Sequence, residues 1–175
     1  MTTADFRAVQ DLERAAGELF RQAGMASIAD DEPFSDAELA TFAAAGWAWV
    51  LTVPLGGSAL VPGGQGAAEV AGYAVGEVVD GAAHLEQLSV DPRHGRQGLG
   101  ARLLGHVRAV ARERGMGRTT LTTFREIPWN AAYYARLGFT VLPEAEWGPE
   151  LQVKVAEEAA HGLDRWPRVV MAAEL

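Results

Sequence analysis

Apolar positions recur along this chain with two periods, and the alternation between them sets out its elements. Leu12, Ala16, Leu19 and Ala23 share one side of a helix over about residues 10–24, because a 3.6-residue period brings positions three and four apart together. Ahead of it, the short run Phe6 to Val9 reads as a strand. Ser35-Asp36-Ala37-Glu38 has the form of a capping box, in which serine and glutamate side chains satisfy free backbone N–H groups. It opens a second helix to about Ala45. Trp47 to Val53, Ala67 to Val79 and Ala82 to Val90 are strand-like runs. The glycine-rich stretch Gly56 to Gly66 reads as the flexible tip of a hairpin joining the first two. Asp80-Gly81 is a tight turn joining the second pair. Three antiparallel strands are therefore expected in the middle.

Helical spacing returns at Leu99, Leu103, Leu104, Val107 and Ala111, and Gly115 and Gly117 close that helix. A strand (Thr119 to Phe124), a short helix (Trp129 to Leu137) ending at Gly138, and a strand (Phe139 to Leu142) follow. A helix near 151–161 and a strand, Val169 to Ala173, complete the pattern. Strand–helix–strand units after an antiparallel meander predict an α/β fold with a mixed central sheet of about seven strands flanked by helices. The 175 residues match one domain, 1–175.

Composition narrows the classes. Hydrophobic residues are 49% and charged residues 22%, as in globular proteins and unlike disordered ones. The absence of cysteine excludes disulfides, thiolate metal sites and an acyl-cysteine mechanism. No apolar run approaches the roughly 18 residues of a membrane span, and the opening residues are too polar for a signal peptide, so a cytoplasmic protein without a membrane partner is expected. The net charge of −8 argues against nucleic acid as a partner. Residues 1–92 hold three Arg and fourteen Asp and Glu, whereas 93–125 hold eight Arg and one acid, Glu113. Such asymmetry points to one cationic and one anionic ligand, against the plainer reading of solvated surface charge.

Gly95-Arg96-Gln97-Gly98-Leu99-Gly100 lies between a strand and a helix. Backbone N–H groups at a helix start lack partners, and glycines let a phosphate approach them. No Gly-Lys-Ser/Thr follows and the dinucleotide spacing is absent, so neither a P-loop nor a dinucleotide fingerprint is present. With Arg93 and Arg96 alongside, the turn is an expected anion site.

The stretch Leu85 to Gly100, through Leu88-Ser89-Val90-Asp91-Pro92, resembles the strand, turn and helix start of the GNAT superfamily of acetyl-CoA-dependent N-acetyltransferases. That family's turn reads Gln/Arg-x-x-Gly-x-Gly/Ala. Here Gly98 and Gly100 are kept, Gly95 replaces Gln or Arg, and arginine falls at Arg96. Pro128 to Phe139, with Asn130, Tyr133, Tyr134, Leu137 and Gly138, is similar to the family's Asn…Tyr-x-x-Leu-Gly-Phe block. The element order also matches. The resemblance implies a GNAT-like fold, acetyl-CoA as cosubstrate, an amine acceptor, an N-terminal half on the acceptor side, and residues 85–140 on the acetyl-CoA side. It implies cosubstrate contacts from Leu88, Ser89, Val90, Gly95, Arg96, Gln97, Gly98, Leu99, Gly100, Ala101, Asn130 and Tyr133.

Acyl transfer to an amine of pKa near ~10 needs a proton acceptor. Glu86 is the first candidate base, and His84, two residues earlier, shares its face on an undistorted strand. The resemblance supports a role at either position. It also places Tyr134 as the acid for the coenzyme A thiolate. Asn130 stands one helical turn before Tyr134 and serves either the pantetheine arm or the helix cap. The oxyanion donor is expected to be a backbone N–H near Leu88. The four histidines (His84, His94, His106, His161) lack zinc-ligand spacing, and no metal is expected. Of the five tryptophans, one or two are expected to line an acceptor pocket. A homodimer stays open. The rival readings are a noncatalytic coenzyme A-binding regulatory module and a nucleotide-binding protein using the same turn.

Overall fold

The Thr2 backbone N–H and hydroxyl both donate to Asp5 Oδ2, at 2.7 and 3.0 Å, closing a 3-10 turn that leads straight into helix α1, Phe6–Gln22. Phe6, Val9 and Leu12, three residues apart, are its buried side chains. The strand expected over Phe6 to Val9 is thus the first turn of α1, because a capped start and helical spacing outweigh the β propensity of a four-residue run. Helix α2 (Ala26–Ala29) follows a left-handed Gly24. It has one turn, too short for any period to show. The capping box at Ser35 is formed: its N–H donates to Glu38 Oε2 at 2.8 Å and its Oγ accepts from the Glu38 N–H at 3.3 Å, opening α3, Asp36–Ala44.

In this computed structural model residues 1–55 and 68–175 are described, so the hairpin tip expected over Gly56 to Gly66 lies outside the described residues. The later elements are β1 (Ala48–Pro54), β2 (Ala68–Val79), β3 (Ala82–Val90), α4 (Leu99–Glu113), β4 (Arg118–Phe124), α5 (Ala131–Arg136), β5 (Thr140–Val141), α6 (Pro149–Ala160) and β6 (Arg168–Glu174). The strands take the order β1-β2-β3-β4-β6-β5. Pairing of β3 with β4 is parallel, whereas β1 with β2, β4 with β6 and β5 with β6 are antiparallel. This is the expected mixed α/β sheet. It has six strands among the described residues; the segment at Phe6 to Val9, expected as a strand, went to α1.

The chain divides into two compact units. The first comprises Met1–Val75 and Gln87–Leu104. Phe6, Val9, Leu12, Leu39, Ala48, Tyr73 and Val75 form its buried cluster. Its β1–β2 ladder slips between Leu51↔Gly72 and Thr52↔Val70, leaving Ala71 unmatched, and the Ala71 carbonyl accepts the Asp91 N–H at 2.9 Å. This bulge ties the start of the glycine-rich segment to β2.

The second unit comprises Gly76–Glu86 and Gly105–Leu175. Its cluster is Val79, Leu142, Leu151, Val170 and Ala172. A Cβ on Gly76 would stand 2.6 Å from the His84 carbonyl oxygen, so only glycine fits there. The Asp80 carboxylate accepts from the N–H groups of Glu150 and Leu151 at 3.1 and 2.9 Å. The tight turn therefore caps α6, whose own N-cap residue, Gly148, has no side chain.

Candidate functional site

In the first unit, β3 ends at Asp91-Pro92, and a 3-10 turn, Pro92–His94, carries the chain to the glycines. Arg96 (φ 59°) and Gly98 (φ 76°) are both left-handed. Gly98 adopts that backbone without strain, which a branched residue does not. The first helical bond runs from the Arg102 N–H to the Gly98 carbonyl, 3.1 Å. The N–H groups of Gly98, Leu99, Gly100 and Ala101 are consequently the four that a helix start leaves unpaired, at its positive end. Arg96 and Gln97 are exposed beside them. Arg93 differs from expectation. Its guanidinium is held by Asp91 at 2.7 Å and Glu69 at 3.3 Å, so it braces the turn, while Arg96 has no ion pair among the described residues. Upstream, Ser89 is buried and accepts from the Gln87 amide at 3.0 Å, and Leu88 and Val90 are half-buried.

In the second unit, the parallel ladder runs from Ala83↔Thr119 to Leu85↔Leu121, and Glu86 is the next residue of β3. Its Oε2 lies 2.6 Å from the Lys154 ammonium, which also contacts Glu77 Oε1 at 2.6 Å. Burial raises the Glu86 carboxyl above its ordinary 4.5, with Glu77 and Glu158 adding to the rise and Lys154 opposing it. The result is an ionisable base stronger than a free carboxylate. Glu158 pairs with Arg168 at 3.0 Å and accepts the Thr122 hydroxyl in a short bond. His84 is 1% exposed, its Nδ1 lies 2.9 Å from the Thr120 hydroxyl, and its Nε2 has no partner among the described residues. Burial, then the charges of Lys154 and Arg168, lower it to about 3. This imidazole is neutral and enclosed.

On α5, Asn130 is the N-cap, but its side chain makes no capping bond; its carbonyl accepts from Tyr133 and Tyr134 at 2.8 and 3.0 Å. Left-handed Gly138 (φ 90°) ends the helix, returning the Phe139 N–H to the Tyr134 carbonyl at 3.1 Å. The Tyr134 ring packs edge-on against Phe139 (5.7 Å) and Tyr133 (5.4 Å). Burial raises its phenol above the ordinary 10, so the hydroxyl holds its proton at neutral pH. Tyr133 is half-buried beside the Arg136 guanidinium, 5.9 Å away.

The sequence profile of the acetyltransferase (GNAT) family matches residues 25–139, more than half of the chain. The chain belongs to this family. It is an acyltransferase, and the fold agrees. Rv2747 from Mycobacterium tuberculosis, solved with CoA, aligns over 99% of this chain and 96% of its own at 19% identity and a TM-score of 0.62. The PaiA N-acetyltransferase from Thermoplasma acidophilum, solved with coenzyme A, aligns over 100% and 96% at 12% identity and a TM-score of 0.59. N-acetylglutamate synthase from Neisseria gonorrhoeae, solved with coenzyme A and N-acetyl-glutamate, matches 61% of this chain at 20% identity and a TM-score of 0.50. The match spans only 23% of that longer protein. These GNAT-fold relatives bind coenzyme A.

Within the second unit of this acetyltransferase lies a cavity of about 430 Å³, lined by Trp147, Trp166, Thr122, Val155, Glu158 and Arg168 among others. Two of the five tryptophans thus face a cavity. Trp147 is fixed there by its indole N–H to the Leu142 carbonyl (3.0 Å), whereas Trp47 is buried against Trp49. In the first unit, much of the acidic excess is surface charge paired locally. Asp11 meets Arg7 and Arg14, and Arg21 meets Glu18 and Asp30. Glu13 is different: burial raises it, and it faces the fully buried Tyr73. Sequence reasoning missed Lys154, Glu77, Glu158 and Arg168, which come from three elements. The signal available was that Lys154 is the chain's sole lysine. Among the described residues no helix is long and apolar enough to cross a membrane.

Proposed function

We propose that this chain moves an acetyl group from acetyl-CoA to a primary amine, a small cationic amine or a protein amine, by direct attack of the bound amine. The observation that carries the reading is Glu86: a carboxylate held by Lys154 and made more basic by burial, on the strand that leads into the glycine turn. An ammonium cannot attack a thioester until it loses a proton, and a base above the ordinary carboxylate range takes that proton more readily. His84, neutral and enclosed, packs against Thr120 and supports the strand instead.

The remaining roles are those that the family resemblance implies. Four unpaired amides, Gly98 to Ala101, suit a pyrophosphate, with Gly95, Arg96 and Gln97 at its rim. The backbone of Leu88, Ser89 and Val90 takes the pantetheine arm and the oxyanion, and cosubstrate contacts are also assigned to Asn130 and Tyr133. Tyr134, protonated at neutral pH, gives its proton to the leaving sulfur. The whole chain acts as one cytoplasmic acetyltransferase domain in this reading. A panel of amines assayed for free thiol release from acetyl-CoA tests it. Thiol release that requires an amine is the expected result. Acetyl-CoA binding without thiol release for any amine would instead make the chain a noncatalytic coenzyme A-binding module.

A further inference from the structure

One lysine stands against fourteen arginines in this chain, and it is the residue clamped on Glu86. Arginine is built for bridging two carboxylates, being always charged and presenting a rigid fork of donors. Lysine differs in having a nitrogen that becomes a nucleophile once it loses a proton. Lys154 projects from α6 with a side chain only 17% exposed, its Nζ 2.6 Å from both Glu77 and Glu86. The other charged groups of this cluster are Glu158, also on α6, and Arg168 on β6, and these two pair with each other.

We propose that Lys154 is itself an acetyl acceptor, so that the protein supplied with acetyl-CoA acetylates its own Lys154. The inference rests on Glu86 being the base of the proposed reaction, because an amine in contact with that base stands where an acceptor's amine must stand. One proton of the Lys154 ammonium passes to Glu86, and the neutral Nζ attacks the thioester carbonyl carbon. The C–N bond forms, and the C–S bond breaks with its electron pair leaving on sulfur. As the amide forms the nitrogen gives up its second proton, the sulfur takes up one proton, and the proton on Glu86 is released to solvent. Nothing is oxidised or reduced. The product amide is uncharged and no longer bridges Glu77 and Glu86 as a cation.

The test is the intact mass of the purified full chain before and after incubation with acetyl-CoA, followed by peptide mapping, at two protein concentrations tenfold apart. The expected result is one acetyl group per chain, on Lys154, gained at a fractional rate independent of protein concentration. Glu86→Gln slows it by about 10²-fold, the ordinary weight of a general base. Lys154→Arg leaves that position unmodified. A chain that already carries the group when isolated, as wild type and not as Glu86→Gln, supports the same conclusion. A rate no faster than that of the urea-unfolded chain, a rate proportional to protein concentration, or modification undiminished in Glu86→Gln overturns it. The two proposals fail separately. An unmodified Lys154 in a protein that still releases thiol with an external amine overturns self-acetylation alone. An unmodified Lys154 with no thiol release for any amine overturns both.

Discussion

The glycine turn of the first unit and the carboxylate cluster of the second are built in opposite ways. The turn is local: Asp91 to Ala101 supplies its own cap, its left-handed residues and its unpaired amides, and its ion pair with Asp91 is two residues long. The cluster joins Glu77 on β2, Glu86 on β3 and Lys154 on α6, the last two separated by 68 positions in sequence. One region offers backbone dipoles at an exposed surface, and the other offers side-chain charges behind partial burial. A dipole array keeps its character when one neighbour changes. A half-buried charge triplet does not, since each carboxylate depends on the same ammonium. Changes in the second unit should therefore disturb chemistry, and changes in the turn should disturb binding.

Apart from Glu86→Gln, Tyr134→Phe has the largest expected effect on this contrast. It keeps the ring against Phe139 and deletes the donor alone. Turnover should fall about 10- to 10³-fold with acetyl-CoA affinity changed by less than about tenfold. Tyr133→Phe, about 100° round the helix, should leave kcat nearly intact. Steady-state kinetics on the pair decides it, and equal small effects would remove the acid from the account.

His84 sharpens the comparison through stability. Folded, it stays neutral down to about 3, whereas the unfolded chain protonates it near its ordinary 6.5. Between those values the unfolded state binds the extra proton, so stability is intact above 6.5 and is lost as pH falls toward 3. Urea unfolding at pH ~7 and ~4.5 should show wild type losing about 3 kcal/mol more over that interval than His84→Gln does. An identical pH dependence in the two proteins would show that His84 is not held neutral.

The turn should give smaller effects. Gly98→Val forces a branched residue into a left-handed backbone and crowds the amides, and acetyl-CoA affinity should fall about tenfold or more. Arg96→Ala should cost only a few-fold, shrinking at high salt, because an exposed charge is screened. Calorimetric titration at two salt concentrations measures both. Unchanged affinity in folded Gly98→Val would remove the anion site.

The same contrast explains what was legible in the sequence. The Ser35–Glu38 capping box, the strand Ala82 to Val90 and the Gly138 helix stop were readable because each is fixed by residues within a few positions. Phe6 to Val9 misled because four apolar residues fit either period, and only the Thr2–Asp5 turn decides between them. Arg93 lies beside the glycine turn in sequence, and what its position does not announce is that Glu69, 24 residues earlier, helps to hold it on Asp91. Glu86 was legible as a residue and illegible as a site. Nothing near it in sequence announces Lys154 or Glu77, and His84 reads as its equal until burial separates them.

The central claim is that Glu86 takes the acceptor's proton, and the pH dependence of kcat/KM for wild type and Glu86→Gln with one working amine tests it most directly. The expected result is a fall of about 10²-fold or more for the variant near neutral pH, narrowing as rising pH deprotonates the amine unaided. A variant that matches wild type near neutral pH, or a deficit that stays constant as the pH rises past the amine's own pKa, would contradict it.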